Sequence, residues 1–173
     1  MNCRTRWGLV CALSLEWLAL GLWVGGLIVL IGAVIPALFN TFGGQDSGGL
    51  FLTRAFEGYH RFVIGAMAVL CAAAVYRWLS GEQAVVVGRG EFIVLALMVA
   101  IAGVVILALH PQAAALQAEA FAAHEEAARK AAFESLFRVL LPIRVLDVGN
   151  MLLGVFLIGI KSKRTLGPCG PAL

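Results

Sequence analysis

Charge is the scarcest commodity in this sequence. Only 13% of its 173 residues are Asp, Glu, Lys or Arg, against about 25% in an ordinary soluble domain. With 61% hydrophobic residues and a mean hydropathy of +0.94, that deficit excludes a water-soluble globular class. Other absences narrow the field. The four cysteines, Cys3, Cys11, Cys71 and Cys169, form no CxxC pair, so no disulfide framework is indicated. No basic stripe is interleaved with aromatics, so the net charge of +3 is a topology signal and nucleic acid is not an expected partner. There is no P-loop, G-x-S-x-G or HExxH, and a lone Ser or Cys in an apolar helix lacks the base that would make it a nucleophile. A non-enzymatic protein is expected. No A-x-A site follows the first apolar run, Glu16 interrupts that run, and Val10 stands where a lipoprotein site needs a small residue before Cys11. The start therefore reads as an uncleaved first helix.

What is present is four apolar runs, each near the roughly 20 residues that cross a hydrocarbon core. Lipid cannot satisfy backbone groups, so the runs are helices. The expected fold is an all-α membrane protein: one membrane domain over 1–173, with spans at about 15–39, 58–79, 91–110 and 141–160. Between the third and fourth spans lies "QAAALQAEAFAAHEEAARKAAFESLFRVL". Its alanines favour helix, and Glu125–Arg129 and Glu126–Lys130 are favourable i,i+4 pairs. It predicts an extramembrane helical hairpin over about 112–138, either a separate arm or an extension of both spans kinked at Pro111 and Pro142. The tail from about 162 to 173 reads as disordered. In the first span, Gly21, Gly25 and Gly26 offer small-residue surfaces for close helix packing, with Pro36 near its end.

Four spans put both termini on one face. Arg4, Arg6, Arg77, Arg89, Lys161, Lys163 and Arg164 lie on that face; Arg54, Arg61, Arg129, Lys130, Arg138 and Arg144 lie on the other. The first set hugs helix ends, so both termini are expected to be cytoplasmic, in a bacterial inner membrane. Arg77, at the end of the second span, is expected to snorkel to the interface.

The Trp-x-Gly-Gly at 23–26 and the Pro-Ala-Leu-Phe at 36–39, within "LWVGGLIVLIGAVIPALF", resemble the signature of a bacterial four-helix membrane family of unknown function. "LFLTRAFEGYHRFVIG" resembles the start of that family's second helix, and "HPQAAALQAEA" its proline-led helix after the third span. The family is related to a eukaryotic TMEM-type transmembrane protein associated with cisplatin tolerance, and more loosely to CopD-type copper-resistance membrane proteins. The resemblance spans about 15–160. It implies the four-helix fold and carries over one position in the fourth helix, Asn150; the family's histidine and serine there have no counterpart in "LFRVLLPIRVLDVGN".

Two clusters are candidates for chemistry. Arg144, Asp147 and Asn150 recur at helical spacing in the fourth span. Arg144 sits near the boundary and can snorkel. Asp147 and Asn150 lie about 9 and 13 Å deep, where an aspartate costs about 2.5–3.5 kcal/mol. The pair is read either as structural, with Arg144 as the partner of Asp147, or as one wall of an outward-open polar pocket for a proton, cation or small polar ligand. The second cluster is histidine. His60 opens the second span, His110 closes the third and His124 follows it, all on one face. With Glu57 they form a candidate metal site, since imidazole suits zinc, copper and haem iron; end-capping or headgroup contact is the bland alternative. No cofactor is the leading expectation, with metal or haem as alternatives. The leading function is a non-enzymatic membrane protein handling a small solute or metal at the outer pocket. The alternatives are a packing subunit of a larger membrane complex and a haem- or copper-binding electron-transfer component.

Overall fold

A computed structural model describes residues 3–42, 46–80 and 87–165. Among these the chain is helical throughout apart from short connections, and four helices are long and apolar enough to cross a membrane. α1 runs Cys3–Val29, widens into a π-helical turn at Leu30–Val34 and continues as Ile35–Phe42. α2 is Asp46–Leu79. α3 runs Arg89–Val104, widens at Val105–Leu109 and continues as His110–Ala122. α4 is Glu126–Thr165. α1 packs against α2 and α4, and α3 against α4.

Several boundaries depart from the sequence reading. α1 and α2 begin about a dozen residues earlier than expected. α3 passes through His110 and Pro111, and α4 passes through Pro142 without interruption. The alanine-rich segment is therefore not a separate arm but the continuation of α3 and α4, joined at 123–125. α4 has 40 residues and rises about 60 Å, twice a hydrocarbon core of about 30 Å. It stays helical through Thr165, into the segment read as a disordered tail; the rest of that tail lies outside the described residues.

The two π-turns have one cause. Proline has no N–H and its ring collides with the carbonyl four residues back. In α1 the turn ahead of Pro36 is widened, with Ile35 N–H donating to Leu30 O; in α3 the turn ahead of Pro111 is widened the same way, with His110 N–H donating to Val105 O. This match belongs to a larger one. Glu16 precedes Pro36 by the same interval as Glu91 precedes Pro111. Between them Leu20, Trp23, Leu27 and Leu30 are buried in α1, and their mates Leu95, Met98, Ala102 and Val105 are buried in α3. α2 and α4 align likewise, with Arg77 matching Lys161, Ala73 matching Leu157 and Leu70 matching Gly154. The bundle is two antiparallel hairpins, α1–α2 and α3–α4, built on one pattern.

A shared apolar layer of Leu20, Trp23, Leu70, Met98 and Leu157 fills the centre. The outer surface stays apolar: Leu22, Ile28, Phe62, Leu107 and Leu152 are all at least half exposed, as a lipid-facing bundle requires. Of the residues expected to pack closely, Gly26 does so: a Cβ there would lie 2.9 Å from Tyr59 Cε2. Gly21 and Gly25 do not; nothing lies within 4 Å of a Cβ at either, and both floor an open apolar groove of about 570 Å³ shared with Gly58 and Phe62. Pro36 is exposed, and its effect is on the π-turn instead. Gly21→Ala and Gly25→Ala are therefore expected to leave unfolding in detergent unchanged or slightly later, because alanine orders the chain better in a helix. Gly26→Ala should unfold earlier. Equal behaviour of Gly25→Ala and Gly26→Ala would contradict the Tyr59 contact.

Candidate functional site

The structure joins the two candidate clusters. His60 was expected at the mouth of α2, but α2 starts at Asp46, so His60 is mid-helix and 7% exposed. His110 follows the π-turn of α3 rather than capping an end. The two rings meet edge to face, with centroids 4.6 Å apart. Beside them, Tyr59 and His60 from α2, Trp23 and Leu27 from α1, and Val105 and Ile106 from α3 are among the residues lining a cavity whose α4 wall is Asp147 and Asn150. The polar wall predicted on the fourth helix thus faces the second helix.

Local features hold this geometry. The Tyr59 hydroxyl donates to Trp23 O at 2.7 Å, and the absence of a side chain at Gly26 admits its ring. Trp23 and Gly26 are two of the residues that carry the family resemblance, and both serve to seat Tyr59. The cavity volume is about 10 Å³, the size of a single water site. Asn150 is 4% exposed, and its Oδ1 is buried without a hydrogen-bond partner, a condition that costs about 1–3 kcal/mol. Among the described residues Asp147 makes no ion pair and no hydrogen bond. Arg144, the expected partner, is exposed, and no ion pair joins it to Asp147 among the described residues. It does not line the cavity.

The metal set is brought together only in part. Glu57 pairs with Arg54 at 2.9 Å on the surface, and His124 is exposed in the α3–α4 connection. Among the described residues no three His, Cys, Asp or Glu side chains gather as metal ligands. The His60 and His110 rings touch, which leaves no gap for an iron and its porphyrin between them.

A second constellation escaped the sequence reading. At the end of the bundle that carries the termini, each helix contributes one buried charge: Glu16, Arg77, Glu91 and Lys161, exposed by 2%, 4%, 3% and 8%. Arg77 Nη1 lies 2.8 Å from Glu16 Oε2 and 2.7 Å from Glu91 Oε1. Lys161 Nζ lies 2.7 Å from Glu91 Oε1 and also pairs with Glu16. Arg77 therefore does not snorkel to the interface; two carboxylates hold it inside. The quartet is charge-neutral and internally bonded, so it offers no open position to a ligand.

The chain matches a family described as a domain of unknown function, DUF4149, over residues 18–122. That is more than half of its length. The chain belongs to the DUF4149 family. The matched part of this DUF4149 protein contains Trp23, Gly26, Tyr59, His60 and His110, and ends before Asp147, Asn150 and Lys161. No curated protein and no solved structure matches the DUF4149 chain significantly.

Proposed function

We propose that this protein is a non-enzymatic integral membrane protein that binds one small cation, proton included, in the cavity between Tyr59, His60, Asp147 and Asn150. One observation carries the reading: the cavity has room for a single small guest, and its polar wall includes the unpartnered Oδ1 of Asn150 beside Asp147. Ionisable residues inside a membrane bundle mark ion and proton sites. The resemblance to the cisplatin-tolerance and CopD-type proteins belongs to the same reading. The test is calorimetric titration of purified protein in nanodiscs with zinc, copper and sodium ions, alongside proton uptake after a pH step. Asp147→Asn should abolish the response, while Arg61→Ala, exposed on the outer face of α2, should retain it. A response unchanged in Asp147→Asn ends the proposal.

A second reading, a packing subunit of a larger complex, draws support from the open groove floored by Gly21 and Gly25, which would accept a helix from another subunit. Stoichiometric co-purification of a membrane partner would favour it. We propose that both termini face the cytoplasm of a bacterial inner membrane; with Arg77 and Lys161 buried, the reading rests on the closeness of Arg4, Arg6, Arg89, Lys163 and Arg164 to the helix ends and not on their number, five against six. A C-terminal green fluorescent protein fusion should fluoresce and a C-terminal alkaline phosphatase fusion should be inactive; the reverse pattern would invert the topology.

A further inference from the structure

The hairpin repeat supplies an internal control for the cavity. Asp147 of α4 falls where α2 has Val63, and Asn150 where α2 has Ala66; His110 of α3 falls where α1 has Ile35. Val63 and Ala66 are 2% and 5% exposed, so this architecture packs apolar side chains at those places. The polar wall is therefore a departure from the pattern that builds the fold, and not a requirement of it. An aspartate deep in a membrane helix costs about 2.5–3.5 kcal/mol relative to the apolar choice, and among the described residues no ion pair offsets that cost.

We infer, resting on the small-cation reading above, that the guest is a proton bound on the Asp147 carboxylate. A hydronium ion gives its proton to a carboxylate oxygen and leaves as water. The neutral carboxyl then has an O–H to donate, and Asn150 Oδ1, one turn along the same face, is an acceptor with no other partner. A cavity of about 10 Å³ holds one water to bridge the two groups. Among the described residues, no cation is ion-paired with Asp147 to take the place of the proton. α2 presents Tyr59 and His60, with His110 of α3 set against His60; α1 presents Trp23 and Leu27; α3 presents Val105 and Ile106; and Arg144, one turn away on α4, is turned to the exterior. Coordination of a metal ion is under-supplied, since no third ligand joins the histidines among the described residues. Asp147 is partly buried, and a carboxylate withdrawn from water without a counter-ion or metal is neutralised by protonation.

The test is infrared difference spectroscopy of the full chain in nanodiscs at neutral pH, reading the C=O stretch of a protonated carboxyl. Wild type should show one such band per chain, downshifted on exchange into D2O. The band should vanish in Asp147→Val and in the isosteric Asp147→Asn, and should shift in Asn150→Ala. The double variant Asp147→Val/Asn150→Ala, which copies the other hairpin, should unfold no earlier than wild type. A band that persists in both Asp147 variants, or wild type without one, overturns the inference. If zinc, copper or sodium instead binds one per chain in an Asp147-dependent way, with Asp147 ionised throughout, the small-cation reading stands and the proton inference falls. If neither protonation nor cation binding depends on Asp147, both fall. Early unfolding of the double variant would show that the polar wall is structural and remove the repeat argument.

Discussion

Replacing Arg77 with leucine is expected to destabilise the bundle by about 3–5 kcal/mol, the penalty for stripping one partner from a buried ion network. Arg77 is the cation between Glu16 and Glu91. Without it, among the described residues, Lys161 is the cation left in the network to face the two carboxylates, and none of the three is more than 8% exposed. Unfolding in mixed micelles would register the change as a large fall in midpoint. The companion experiment separates charge balance from lost volume. Arg77→Leu combined with Glu91→Gln leaves the neutral pair Glu16 and Lys161, and should recover a substantial part of the loss. The double-mutant cycle should show strong coupling. Additive costs would mean that the four charges act independently, which the distances do not allow.

Gly154→Val is expected to cost about 1–3 kcal/mol, the range for forcing extra atoms into a well-packed core. Gly154 lies where α4 crosses α1 and α3. A Cβ there would collide with the side chain of Val24 and lie 3.3 Å from Met98 Cε. Met98 is fully buried and Val24 only 4% exposed, so neither can swing aside without displacing its neighbours. Gly159 on the same helix has nothing within 4 Å of a Cβ, and Gly159→Val serves as the control, with little effect. Trimming the obstacle should relieve the strain, so Gly154→Ala in a Val24→Ala background should unfold later than Gly154→Ala alone. Equal midpoints for Gly154→Val and Gly159→Val would disprove the close crossing.

The helical membrane bundle was legible because composition dictates it: long apolar runs with few charges leave no other architecture. The start of α2 was not, since "NTFGGQDSGG" reads as a glycine-rich break. The helix there is supported from outside its own sequence. Gly49 lets Gln117 approach, at 3.3 Å from where a Cβ would stand, and the Thr53 hydroxyl bonds to the same Gln117. Contacts with the extension of α3 thus override the local turn signal. Asp147 and Asn150 stood out because polarity deep in an apolar run is costly. Their opposite wall did not, because His60 looked like a residue at a helix mouth and only the true start of α2 moves it inward. The charge quartet was hidden for another reason. Arg77 and Lys161 each resembled an ordinary charge at a helix end, and Glu16 an interruption. The signal was in the comparison between halves of the chain: an acid at a fixed interval before a proline, twice.

The quartet also bears on how the chain enters its membrane. Glu16 and Arg77 both belong to the first hairpin, and Glu91 and Lys161 both to the second. Each hairpin therefore carries its own cancelling pair, Glu16 with Arg77 and Glu91 with Lys161. The first two helices can leave the insertion machinery with their buried pair already neutralised while the last two are still being synthesised, and the second pair can follow in the same way. Only when both hairpins are in the bilayer can Arg77 reach Glu91 and Lys161 reach Glu16. Pairing first within each hairpin and then between the two would suit helices that associate after they have been inserted.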